Sequence, residues 1–190
     1  MYQKQTMKQC VTAFGIVLNV AGAFIAMNLR LPIYMDSIGT VMTAALLGPF
    51  YGGLAGLLGG VVSGFTFDVY SFYYAIPQMT TGIMAGWLFK TFLMKGKYLP
   101  AGTFLTVLPC TVLSALVTAV LFGGLTSSGS SIFVMLLEKA GIPLTAGVFM
   151  SQIITDYTDK LLAAGVTTVV MTAMTHDMKM KLRGEPHGQI

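Results

Sequence analysis

Charged side chains are what this sequence most lacks. Only 9% of its 190 residues are Asp, Glu, Lys or Arg, while 55% are hydrophobic. An ordinary soluble domain carries roughly 25% charged residues. A fold this poor in charge cannot cover itself with a water-wetted surface, so lipid is expected to face much of it. Histidine is scarce as well, with two in the chain. No zinc-type His pair, P-loop or nucleophile elbow is present, so the commonest routes to catalysis and to ATP hydrolysis are missing. His176 and His187, near a basic end, are expected to be solvated tail residues. The two cysteines, Cys10 and Cys110, are too few for a disulfide framework or a metal cluster. Both lie in apolar stretches and are expected to be buried thiols.

The few charges punctuate the chain. Charge-free stretches run 9–29, 37–67, 69–89, 98–137, 140–155 and 161–176. A spanning helix needs roughly 20 largely apolar residues. The run from Gln9 to Leu29 exceeds the roughly 7–15 apolar residues of a signal peptide, so it is read as a retained first helix. Within 37–67, Gly48-Pro49 is expected to break one long helix into two, because proline removes a helix hydrogen bond and clashes with the preceding turn. The positive-inside rule supports the break. With it, Lys4, Lys8, Lys90, Lys95, Lys97, Lys179, Lys181 and Arg183 share one side, eight of the eleven basic residues. A helix from about Thr103 to Gly123 leads into a Gly/Ser-rich loop through Ser131. The expectation is an all-α membrane protein, a single domain over 1–190. It is a bundle of six transmembrane helices with N- and C-termini cytoplasmic, in a bacterial cell membrane. The net charge of +4 is then a topology signal, and no nucleic-acid partner is implied.

Small residues recur at every fourth position: Ala44, Gly48, Gly52, Gly56, Gly60 and Gly64. Such rows let membrane helices approach closely, either within the chain or against a partner. Gly15, Asn19 and Ala23 make a shorter row on the first helix, with Gly22 and Ala26 beside it.

On the other side of the membrane fall Arg30, Asp36, Asp68, Glu138 and Lys139. Gln152, Asp156 and Asp159 share a face of the last long helix, with Lys160 beside it. A charge in lipid costs roughly 2.5–3.5 kcal/mol on insertion scales, so these groups must face the bundle interior or a watery cavity. They could be an internal ion pair that only ties helices together, or part of a ligand site. The segment from Phe65 to Tyr74 supplies Asp68, Tyr70 and Tyr74, and the segment from Arg30 to Thr40 supplies Tyr34 and Asp36. Aromatic walls with a few placed polar groups are how small-molecule sites are built, although interfacial tyrosines are common in any membrane protein.

Several of these features together resemble the S components of energy-coupling factor (ECF) transporters. They are Leu31-Pro-Ile-Tyr-Met-Asp36-Ser-Ile-Gly-Thr40, Leu47-Gly-Pro-Phe-Tyr-Gly-Gly53, the glycine-rich third helix and the Asp159-Lys160 pair. The resemblance covers nearly the whole chain. It implies a substrate-binding subunit that takes one vitamin or vitamin precursor near the outer face, with no cofactor and no ATP hydrolysis of its own. It also implies a membrane coupling subunit and two ATPases as partners, and transport by toppling in the bilayer. The family's helix-one contact motif corresponds to Gly15/Asn19/Ala23 or Gly22/Ala26. The acidic outer half and the aromatic residues favour a flat ligand with amine or ring N–H donors. A hydroxymethylpyrimidine or pyridoxine-type vitamer fits best; riboflavin, a queuosine precursor and a cobalamin-type ligand are also compatible. In this scheme Asp36 and Asp159 accept hydrogen bonds, Lys160 holds a carboxylate or ligand oxygen, and Tyr34, Tyr70 and Tyr74 stack or cap. A multi-helix membrane sensor domain is the main rival, disfavoured because no output domain follows. An intramembrane enzyme lacks a catalytic spacing, and a secondary transporter would be suggested by repeats that are not seen.

Overall fold

Glycine and proline set the first division of the chain. Gly48 adopts φ 95°, ψ −178°, and its N–H closes the preceding helix on the Ala44 carbonyl at 2.9 Å. Pro49 then opens the next helix, where its missing N–H costs nothing. The expected break is therefore present, between α2 (Ile38–Leu47) and α3 (Pro49–Thr66). Around this pair stand α1 (Tyr2–Asn28), α4 (Tyr70–Leu88), α5 (Leu99–Phe122) and α7 (Leu144–Ala173). Two 3-10 turns, Phe92–Met94 and Gly96–Tyr98, join α4 to α5. The computed structural model describes residues 2–123 and 131–183, and among them every regular element is helical.

Two short helices were not expected. α6 (Ser131–Lys139) precedes α7, and α8 (His176–Arg183) follows it. Leu182 of α8 is buried with Met42 and Leu46 of α2, so α8 docks on the bundle through its apolar side. The side chain of His176, all of His187 and the Gly/Ser run 124–130 lie outside the described residues. Cys110 is buried as expected, but Cys10 lies on the exposed side of α1.

Side chains are sorted by size and polarity in an unusual way. The buried set is rich in small polar groups, including Thr40, Thr81, Thr106, Thr111, Thr118 and Thr167. The exposed set includes Phe14, Phe24, Phe50, Phe65, Leu116 and Val120. The segments Gln5–Asn28 and Gly96–Phe122 are long and apolar enough, by length and composition, to cross a membrane.

The row of small residues on α3 is spent inside the chain. A side chain built on Gly52 would meet Ala44 and the Gly82 carbonyl, and one on Gly56 would run into the backbone of Gln78. Gly60 faces Ala75 in the same way. Dispersion contacts need near-touching surfaces, so two glycine faces let α3 and α4 pack backbone to backbone. Replacing Gly82 by Leu should therefore lower stability by about 1–3 kcal/mol or more. Gly165, on α7, has open space where its side chain would be. Gly165→Ala should be neutral or gain up to about 1 kcal/mol of helix propensity. Thermal unfolding of both variants in detergent, followed by Trp87 fluorescence, checks the contrast.

Candidate functional site

The site is built where the connection between α1 and α2 folds back onto α7. This connection has positive φ at two non-glycine residues, Arg30 (50°) and Met35 (52°). Such a backbone costs of order 1–3 kcal/mol at each position and persists only when surrounding contacts hold it. The contacts are visible. The Met35 N–H donates to Asp159 Oδ1 at 2.7 Å, and Ser37 Oγ donates to Asp159 Oδ2 at 2.5 Å. Gln78 Nε2 of α4 donates to the Asp36 carbonyl at 2.9 Å. Gly22 lets α1 close in, since any side chain there would strike the Met35 carbonyl.

Asn19 completes the hold from α1. Its Oδ1 accepts the N–H groups of Gly39 and Thr40 at 2.8 and 3.1 Å, and its Nδ2 donates to Thr40 Oγ1 at 2.7 Å. Those N–H groups belong to the first turn of α2, which has no carbonyl of its own for them. Ser37, in the capping position, makes no side-chain cap; Asn19 does that work from another helix. This corrects the expectation that Gly15, Asn19, Gly22, Ala23 and Ala26 present a partner-contact face. Asn19, Gly22 and Ala26 are buried, and a side chain at Gly15 would meet Thr43 and the Gly39 carbonyl. Ala23 is half-buried against a crevice shared with Tyr34 and Asp36. The row encodes close approach, and α2 with its preceding loop is what approaches.

The cavity itself lies between this loop, α4, α5 and α7. Tyr34, Asp36, Asp68, Tyr74, Gln152, Asp156 and Lys160 line it, all seven among the residues expected from the sequence. Lys160 Nζ lies 3.2 Å from Asp159 Oδ2 and 3.6 Å from Asp156 Oδ1. Asp156 also accepts from Thr111 Oγ1 at 2.8 Å. Thr118 Oγ1 donates to the Ser114 carbonyl, so it must accept from the Tyr74 hydroxyl, 2.5 Å away, and from Gln152 Nε2 at 3.2 Å. That shared hydroxyl fixes the Tyr74 ring, whose centroid is 6.2 Å from that of Tyr34. Asp68 caps α4 by accepting from the Tyr70 N–H and from Ser71 Oγ, at 3.3 and 2.9 Å.

Two expected ligand contacts have other work. Asp159 does not line the cavity: its oxygens hold the loop and Lys160, so it positions the site instead of accepting from a ligand. Tyr70 does not line it either, and packs on Phe122 with ring centroids 4.7 Å apart. Conversely, Gln78, Thr81, Cys110 and Ser114 line the cavity and were not anticipated. The polar stripe Thr103, Thr106, Cys110, Ser114, Thr118 at helical spacing on α5 was the available signal. Gln78 carried none beyond being a lone amide in an apolar helix.

Two buried acceptors at this site, Asp36 Oδ1 and Gln78 Oε1, have no hydrogen-bond partner among the described residues. The space is small, about 30 Å³, which is room for about two waters. A second crevice of about 20 Å³ shares Tyr34, Asp36, Asp68 and Ser71 with the first, so these side chains partition one larger volume.

The buried trio makes a test. Lys160→Met leaves Asp156 and Asp159 without their cation and should cost about 3–5 kcal/mol of stability. Adding Asp156→Asn should recover part of the loss. A double variant less stable than Lys160→Met in thermal unfolding would show that the pairing does not govern this region. Comparison with protein-family profiles, with curated proteins and with solved structures finds no match to this chain.

Proposed function

We propose that the chain is the substrate-binding subunit of an ECF-type importer in a bacterial plasma membrane, taking up a flat, donor-rich vitamin or vitamin precursor. The observation that carries the ligand reading is the pair of buried, unpartnered acceptors, Asp36 Oδ1 and Gln78 Oε1, beside a tyrosine-lined cavity. An unsatisfied buried acceptor costs roughly 1–3 kcal/mol, and a ligand bearing two neighbouring N–H donors removes that cost twice. An amino-substituted nitrogen ring such as a hydroxymethylpyrimidine has such an edge, and its faces suit Tyr34 and Tyr74.

The membrane reading rests on the apolar exterior, the polar interior and the charge distribution. In this reading α1 to α5 and α7 are six spans, with both termini cytoplasmic. The ten residues of α2 reach only about 15 Å at 1.5 Å per residue, half of a hydrocarbon core of about 30 Å. The loop before it makes up the difference. Irregular backbone is tolerated at depth only when protein satisfies its polar groups, as Asp159, Asn19 and Gln78 do here. A coupling subunit and two ATPases are the partners this reading requires.

A ring-sized ligand needs far more room than about two waters occupy, so binding requires Tyr34 and the loop around it to swing outward. Such a movement breaks the hydrogen bonds to Asp159, and relief of the strained backbone at Arg30 and Met35 offsets part of that cost.

The test uses the purified full chain, its Trp87 and tyrosine fluorescence, and a panel of vitamins and precursors. Saturable binding of an aminopyrimidine or pyridoxine-type compound is expected, weakened at least about tenfold, near 1.4 kcal/mol, by Asp36→Asn or Gln78→Leu. If both variants bind every compound as the parent does, the ligand site is elsewhere. Co-purification of ATPases from the native membrane tests the transporter assignment separately.

A further inference from the structure

At the far end of the bundle from this cavity lies a larger cleft, of about 870 Å³. We propose that it is a binding site for the headgroup of an anionic phospholipid. Four lysines line it, and each comes from a different part of the chain: Lys8 from α1, Lys90 from the end of α4, Lys95 from between the two 3-10 turns, and Lys179 from α8. Among the described residues no Asp or Glu lines it, and the ion pairs are those of Lys160 with Asp156 and Asp159, so none of the four lysines has a carboxylate partner there. Lys8 instead lies over the ring of Tyr51, 5.6 Å from its centroid.

The α2–α3 break adds a fifth source of positive potential. Gly48, Pro49, Phe50 and Tyr51 line the cleft, so the amino end of α3 opens into it. The N–H groups of Phe50 and Tyr51 stand in the first turn, where their own helix offers them no carbonyl. The helix dipole adds to this a partial positive charge. Like charges held together without a counter-ion repel, so an anion that spans them is bound and the fold around them relaxed.

The rest of the wall decides which anion. Between the lysines the lining is apolar, with Leu46, Leu47, Met94, Met171 and Leu182. Phe50, beside the mouth, is largely exposed. A free phosphate leaves those apolar walls in water. A phospholipid places its phosphate among the ammonium groups and its glycerol and upper acyl chain along the walls. The volume is ample for both, within the roughly 300–1,000 Å³ of small-molecule sites. The inference rests on the membrane reading of the helices but not on the ligand or the importer assignment.

Trp87 is the chain's single tryptophan, exposed and within a turn of Lys90, so it reports on this end. The full chain is reconstituted into phosphatidylcholine vesicles containing a small fraction of brominated phosphatidylglycerol or brominated phosphatidylcholine. The brominated anionic lipid should quench Trp87 at about fivefold lower mole fraction than the zwitterionic one, a preference that salt reduces. Lys8→Gln/Lys179→Gln and Lys90→Gln/Lys95→Gln should each remove most of the preference, while the matching arginine variants keep it. Equal quenching by the two lipids, or glutamine variants that quench as the parent does, overturns the proposal. Displacement of the brominated lipid by millimolar inorganic phosphate overturns it in favour of a free-anion site, and displacement by polyglutamate in favour of an acidic protein segment. A chain that fails to insert into the vesicles overturns the membrane reading along with it.

Discussion

A single carboxylate, Asp159, ties the loop between α1 and α2 to the middle of α7. It accepts a backbone N–H from Met35, a hydroxyl from Ser37 and an ammonium N–H from Lys160, and its side chain is fully buried. Hydrogen bonds to a charged group contribute about 1.5–3 kcal/mol each, more than neutral ones. That is enough to hold a loop with two residues at positive φ. Everything else at the site follows from where this loop is held. It sets Tyr34 against Tyr74, brings Asp36 beside Gln78, and delivers the amino end of α2 to the waiting amide of Asn19.

The charges around Asp159 explain why this arrangement is stable away from water. Asp156, Asp159 and Lys160 sum to one negative charge, and each is nearly inaccessible. Isolated burial of any one is prohibitively unfavourable. Together they share one ammonium; Thr111 donates to the other oxygen of Asp156, the Met35 N–H to the other oxygen of Asp159, and Ser37 to the Asp159 oxygen that also faces Lys160. The side chains that solvate this cluster are therefore threonine, serine and amide groups carried on otherwise apolar helices. Large apolar side chains are left to the outside, which is the distribution that a hydrocarbon surrounding rewards.

How much of this could be read in advance depended on whether a residue had one physical option or several. Gly48-Pro49 cannot continue a helix, so the break was legible. Asp156 and Lys160 cannot face lipid, so their inward placement was legible too, as was the gathering of Tyr34, Asp36, Asp68 and Tyr74 around them. Asp159 and Tyr70 belonged to the right region, yet their partners turned out to be Met35, Ser37 and Phe122, which no spacing specifies. The small-residue row on α1 fixed how close something could come but not what came, and the loop and α2 took the place expected of another subunit. α6 and α8 were hidden because each is under three turns and carries no pattern distinct from a connection. Gln78 was missed because one amide in an apolar helix has many possible roles until its neighbours are known.

The length of α7 joins the two ends of the molecule. Its 30 residues form one uninterrupted helix, about 45 Å from end to end. Along its first half and middle, Gln152, Asp156 and Lys160 border the tyrosine-lined cavity; near its finish, Thr168, Met171 and Thr172 border the lysine-lined cleft. A rod without a hinge cannot tilt at one end alone. One continuous helix thus furnishes a wall to each opening, and a rigid-body tilt of α7 would displace both walls at once.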